Sequence, residues 1–133
     1  MSDIVVDASV ALAWCFKDEL TEATAQLREQ VRTSIAAVPL LWFIEIANVL
    51  ALAERRGRIT VAESAQLIGL FETLDIEVDG ETASLAFTRI LDLAREQRLT
   101  AYDAAYLELA MRLSGWASRR YGPGEPYLYS AES

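Results

Sequence analysis

A chain of 133 residues has the length of one ordinary domain, and at 53% hydrophobic it can build one sizeable core without metal or disulfide staples. Its formal charge of −8, from 20 acidic against 12 basic residues, argues against a general nucleic-acid coat protein, because phosphate contacts dominate such binding. It leaves room for an enzyme that holds RNA at one site through a few arginines and a bound cation.

The residue types narrow the chemistry further. There is no histidine, which removes serine–histidine triads, histidine bases and histidine zinc sites together. Lys17 is the only lysine, so acid, base or metal chemistry falls to carboxylates and tyrosines. The single cysteine, Cys15, has no internal partner, which suits a reducing cytosol. No apolar run reaches a membrane span with clean flanks, and no basic region precedes the first one. We therefore expect no signal peptide, no transmembrane helix and a cytoplasmic protein.

In chain order, Ile4–Val6 reads as a first short strand and Ala8–Phe16 as a helix behind it. Thr21–Arg32 has the pattern of a surface helix, with Ala25 and Leu27 or Arg28 near its seam. Ser34–Val38 is a second strand, closed by Pro39. Trp42–Arg56 is a mostly apolar helix followed by Gly57, where a helix end favours glycine. Thr60 and Glu63 have capping-box spacing and open a helix running to about Thr73. "LDIEVD" alternates with a period of two and reads as a strand that Gly80 ends. Glu81–Gln97 is helical, with Leu85, Ile90, Leu91 and Ala94 free to pack. "LTAYDAAYLELAMRL" is the last helix, starting near Thr100 or Ala101. Short apolar strands separated by helices predict a parallel sheet covered by helices, an α/β fold. The last twenty residues, "SGWASRRYGPGEPYLYSAES", hold three of the six glycines and two of the three prolines. They read as irregular, apart from an extended "PYLY".

Three acids interrupt apolar segments expected to face inward. Asp7 lies in "DIVVDASVALAW", Glu45 in "LWFIEIANVLALA" and Asp103 in "LTAYDAAYLELA". A buried unpaired carboxylate is costly, so it pairs, takes up a proton or binds a cation. No arginine or lysine lies within four positions of any of the three. Converging, they would repel one another, and a hard divalent ion such as Mg²⁺ or Mn²⁺ offsets that repulsion. Asp7 would stand at the carboxyl end of the first strand, where ligand sites of open α/β sheets lie. Each acid also has a plain structural reading. Asp7 suits an N-cap, Asp103 stands at capping-box spacing from Thr100, and Glu45 could sit on an exposed rim.

"VVDASVALAW", "WFIEIANVLALAERRGRIT" and "RLTAYDAAYLELAMRL" together resemble the PIN-domain family, and more narrowly its VapC-type toxin ribonucleases. The match in order and spacing runs from residue 3 to about 113. The resemblance implies a PIN-like three-layer α/β/α sandwich over residues 1–113, with 114–133 a divergent tail of the same single domain. It implies a Mg²⁺- or Mn²⁺-dependent endoribonuclease that hydrolyses RNA phosphodiesters with a metal-activated water, as the toxin of a toxin–antitoxin pair. It also implies a homodimer and a cognate antitoxin that blocks the site. Carried over by position, Asp7, Glu45 and Asp103 are the catalytic, metal-holding acids. Ser9 matches a supporting hydroxyl, and Asn48 is a second supporting residue. Arg55, Arg56 and Arg58 are candidates for RNA contact, against the plainer reading of a solvated loop.

The chain departs from the family after the last matched helix. The fourth acidic position has no counterpart, since the tail's only acids are Glu125 and Glu132. A C-terminal strand is therefore expected to be missing, leaving an exposed sheet edge that a partner chain could cover. An altered C-terminus supports an alternative function, a catalytically weakened or inactive relative that still binds an antitoxin or dimerises. A haloacid-dehalogenase-like phosphatase ranks lower, because Ser9 stands where that chemistry needs a second aspartate.

Overall fold

The computed structural model describes residues 4–16, 18–114 and 128–130, the last as backbone only. Strand β1 (Ile4–Val6) pairs in parallel with β2 (Ala36–Pro39), which pairs in parallel with β3 (Ile76–Asp79). Ile4 lies opposite Ala36, and Pro39 opposite Asp79. The same register carries Asp7 to the level of Pro39 and Asp79, at the carboxyl ends of all three parallel strands.

Six of the seven α-helices among the described residues appear where the sequence puts them. They are α1 (Ala8–Ala13), α2 (Glu22–Arg32), α3 (Leu41–Arg55), α4 (Val61–Glu72), α6 (Leu91–Gln97) and α7 (Ala101–Ser114), with the short α5 (Thr82–Leu85) before α6. Successive side chains of a strand point to opposite faces. Val5 and Ala37 accordingly pack with Ala8, Trp42, Ile46, Leu50, Tyr106 and Leu107 on one face. Ile4, Val6 and Ala36 pack with Val10 and Val31 on the other. The result is the mixed α/β sandwich expected.

Local chemistry sets the boundaries. Thr60 Oγ1 accepts from the Glu63 N–H while Glu63 Oε1 accepts from the Thr60 N–H, a complete capping box at the start of α4. Gly57 ends α3 at φ +69°, a conformation that costs glycine little.

Three expectations are corrected. The first helix stops at Ala13 rather than Phe16. The N–H groups of Trp14 and Cys15 bond to the carbonyls of Ala11 and Leu12, tightening the turn, and Phe16 folds inward to 5% exposure. The seam of α2 buries Thr24 and Val31, and the expected Leu27 packs against the same cluster as Val31, with Ala25 only partly covered. The helical run from Thr82 contains a π-helical turn at Ala86–Ile90. Leu85 and Ile90 both pack against Ala104 and Ala105. Five residues apart, they would diverge by about 140° on a regular α-helix, and the wider turn brings them back to one face.

The fourth correction concerns the tail. The expected missing strand and open edge are not found beside β1. Residues Leu128–Ser130 form a strand, β4, antiparallel to β1, with Val5 opposite Tyr129, giving the order β3-β2-β1-β4. The outer edge of β1 carries backbone donors and acceptors that need partners, and this short extended segment supplies them. Glu125, Glu132 and the rest of the tail lie outside the described residues.

Candidate acidic site at the strand ends

Asp7 leaves β1 with extended geometry and caps α1, its Oδ1 accepting from the Ser9 N–H at 2.7 Å. The capping reading is therefore correct, and incomplete. Asp7 is only 4% exposed, and its Oδ2 is buried without a hydrogen-bond partner among the described residues. A cap needs one oxygen, and the second is left for something else. Burial pushes the Asp7 carboxyl above the usual carboxylate range, against bonds from the Ser9 backbone and hydroxyl, with a further rise from the charge of Asp103.

Glu45 projects from α3 and is half-buried. Its Oε1 accepts from the hydroxyl of Tyr106 at 2.6 Å. Burial raises this carboxyl too, the Tyr106 bond lowers it, and the charges of Asp7 and Asp103 raise it again. Asp103 is half-buried in the first turn of α7. Its backbone N–H donates to Thr100 Oγ1 at 3.1 Å, so the capping arm from threonine is present. No return bond runs from the Asp103 carboxylate, which makes no hydrogen bond or ion pair with a described residue. The three acids thus come from β1–α1, α3 and α7 and act on one another electrostatically. None of the ion pairs among the described residues involves them.

Comparison with known families decides what this arrangement belongs to. The PIN-domain family model matches residues 4–116. The chain belongs to the PIN-domain family. PIN domains are in general nucleases, and those nucleases typically use divalent metals. No curated protein matches the sequence.

In this PIN domain the donor set suits a hard cation. All the candidate ligand atoms are carboxylate oxygens, and the partnerless Asp7 Oδ2 is the kind of buried atom that a cation would satisfy. Among the described residues, however, no three acidic or cysteine side chains stand close enough to hold an ion as they are. Of the supporting residues, Ser9 contacts Asp7 directly, while Asn48 is exposed on α3 three residues beyond Glu45.

The three arginines separate. The Arg58 guanidinium pairs with Asp18 and Glu19 and lies over the Phe16 ring, 4.1 Å from its centroid. It therefore ties the loop after α3 to the loop after α1. Arg55 and Arg56 are exposed at the far end of α3, ten residues and about 15 Å along the helix from Glu45.

Two features of the PIN domain were not read from the sequence. Tyr106 is completely buried and serves Glu45, whereas Tyr102, on the other side of Asp103, is 60% exposed. Glu108 is a second buried acid after Asp7, with no exposed surface, held by Arg112 through bonds of 2.9 Å to each of its oxygens. An acid inside "AYLELAMRL" was as conspicuous as Asp103. The arginine four residues on, one helical turn away, marks it as a paired structural acid.

Proposed function

We propose that this PIN domain is a metal-dependent endoribonuclease acting as the toxin of a VapC-type toxin–antitoxin pair in the cytoplasm. The observation that carries the reading is the buried Asp7 oxygen that has no partner among the described residues, electrostatically coupled to Glu45 and Asp103, none of which forms an ion pair with a described cation. Asp7, Glu45 and Asp103 would hold Mg²⁺ or Mn²⁺. When bound, such an ion lowers the pKa of water and offsets the charge of a phosphodiester. The protein's own contribution is orientation. Ser9 fixes one oxygen of Asp7, Tyr106 fixes one oxygen of Glu45, and the Asp103 carboxylate has no hydrogen bond or ion pair with a described residue.

Partner binding draws support from α4. This helix buries only Ser64, while Val61, Ile68 and Leu70 are 72, 44 and 64% exposed. An apolar cavity of about 560 Å³ lies between α3 and α4, lined by Trp42, Phe43, Ile46, Ile68 and Phe71 among others. Exposed apolar surface of this kind marks an interaction site, and an antitoxin segment or a second copy in a homodimer would cover it. The net charge of −8 favours a basic antitoxin segment.

The alternative, a weakened or inactive relative that keeps its partners, is favoured by one observation. Three acids do not form a ready cage, and no fourth acid is found at the expected place. Purified protein incubated with structured RNAs and Mg²⁺ or Mn²⁺, beside Asp7→Asn, separates the two. Cleavage by the wild type alone supports the nuclease. No cleavage by either supports the inactive relative, and equal cleavage by both points to a contaminant or another site.

A further inference from the structure

Tyr106 sits at the junction of the elements that carry two of the acids. Its ring is fully buried, and its hydroxyl, which must find a partner when buried, selects a carboxylate 61 residues away. The 2.6 Å bond is in the range of a charge-assisted O–H···O⁻ contact. The Ala8 backbone, next in sequence to Asp7, interacts with the same hydroxyl, and the charge of Asp7 is felt there. The phenolic oxygen therefore ties α7 to α3. It occupies Oε1 of Glu45, and Oε2 has no hydrogen-bond partner among the described residues.

We infer that Tyr106 is a positioning residue for the cation site, holding Glu45 through Oε1 so that Oε2 would be left to ligate. The inference rests on the metal reading above and goes beyond it, because Tyr106 does not itself ligate. Packing alone would be served equally by phenylalanine, and the hydroxyl is what the carboxylate uses. Groups that orient a metal ligand in this way typically govern affinity by about 10- to 100-fold.

The test is Mn²⁺ binding by calorimetry, with Mn²⁺ alone and no RNA, on four full-length chains: wild type, Tyr106→Phe, Glu45→Gln and the double variant. Phenylalanine keeps the ring volume, and thermal melting confirms that each chain is folded. Tyr106→Phe is expected to weaken Mn²⁺ by about 10-fold or more in the wild-type background and to change nothing in the Glu45→Gln background. Wild-type affinity in Tyr106→Phe, or an equal loss in both backgrounds, overturns the proposal while the metal site stands. A wild type that binds no Mn²⁺, or binds it equally well with Asp7→Asn, overturns the metal reading and this inference with it.

Discussion

The Arg112 guanidinium grips both oxygens of Asp79, at 2.7 and 2.9 Å, across 33 residues of sequence. It simultaneously holds Glu108 on its own helix and reaches Glu81 at 3.1 Å. One cation thus anchors α7, which carries Asp103 and Tyr106, to the carboxyl end of β3. Arg112 is 18% exposed, Asp79 11% and Glu108 not at all, so these charges have largely left water. Breaking a buried pair strands the remaining charge, at a cost of about 3–5 kcal/mol. Arg112→Met is expected to lower unfolding free energy by that order in urea titrations. A loss below about 1 kcal/mol would place the cluster with ordinary surface pairs.

The same cluster marks where sequence reading succeeds and where it stops. Thr60 with Glu63 was legible because a capping box is local, and both of its bonds are present. Asp7, Glu45 and Asp103 were legible as acids in apolar runs without a nearby cation. Their meeting was implied by strand-end topology and by family resemblance. Tyr106 was not legible as their companion, since its partner is set by how α7 crosses α3. The π-turn at Ala86–Ile90 answers to Ala104 and Ala105 on another helix, and no local pattern encodes it. Strand β4 was visible only as an extended "PYLY", because its partner edge is β1, far back in the chain.

Asp7→Asn should stabilise the metal-free protein. Asparagine keeps a side-chain oxygen to accept from the Ser9 N–H, so the cap of α1 survives. The substitution removes a buried negative charge, and with it the desolvation cost and the repulsion from Asp103, while the amide nitrogen takes the place of Oδ2. A melting temperature several degrees above wild type is expected without metal, by about 2–8 °C per kcal/mol for domains from 250 down to 60 residues. Added Mn²⁺ should then raise the wild-type melting temperature and leave Asp7→Asn unmoved. A variant that melts below wild type without metal would contradict the assignment of strain to Asp7.

Stability should pass through a maximum in mildly acidic solution when metal is absent. Arg112 holds Asp79 below the usual carboxylate range, so that contribution is complete above the ordinary value of 3.8 and is lost as pH falls through the lowered one. Asp7 and Glu45 are raised above 3.8 and 4.5 by burial, so the fold binds their protons more tightly than the unfolded chain. Their contribution is present below those ordinary values and fades as pH rises through the raised ones. Urea midpoints across pH 3–8 should therefore fall on both sides. Saturating Mn²⁺ should remove the fall on the alkaline side, because a cation stabilises the charged carboxylates. A curve that climbs steadily to neutral pH without metal would show that Asp7 and Glu45 impose no such cost.

Arg58 should behave as a staple and not as an RNA contact. Its partners Asp18 and Glu19 are 74 and 50% exposed at the side chain, and Arg58 itself 40%, so each pair is screened by water. The stacking over Phe16 adds a cation–π contact and covers a ring that the end of α1 turns inward. Arg58→Ala is expected to cost about 0.5–1.5 kcal/mol in urea unfolding, the sum of weak pairs and one partly exposed cation–π contact. Arg58→Lys should recover only part of it, since an ammonium cannot stack as a guanidinium plane does. If RNA is cleaved, Arg58→Ala at a temperature where the variant is fully folded should leave KM within about twofold of wild type, since the guanidinium is already committed. Among the described residues Arg55 and Arg56 have no ion-pair partner, and Arg55→Ala with Arg56→Ala is the comparison that reveals phosphate contact. A larger KM increase in Arg58→Ala than in that double variant would mean that RNA displaces Asp18 and Glu19 from the guanidinium.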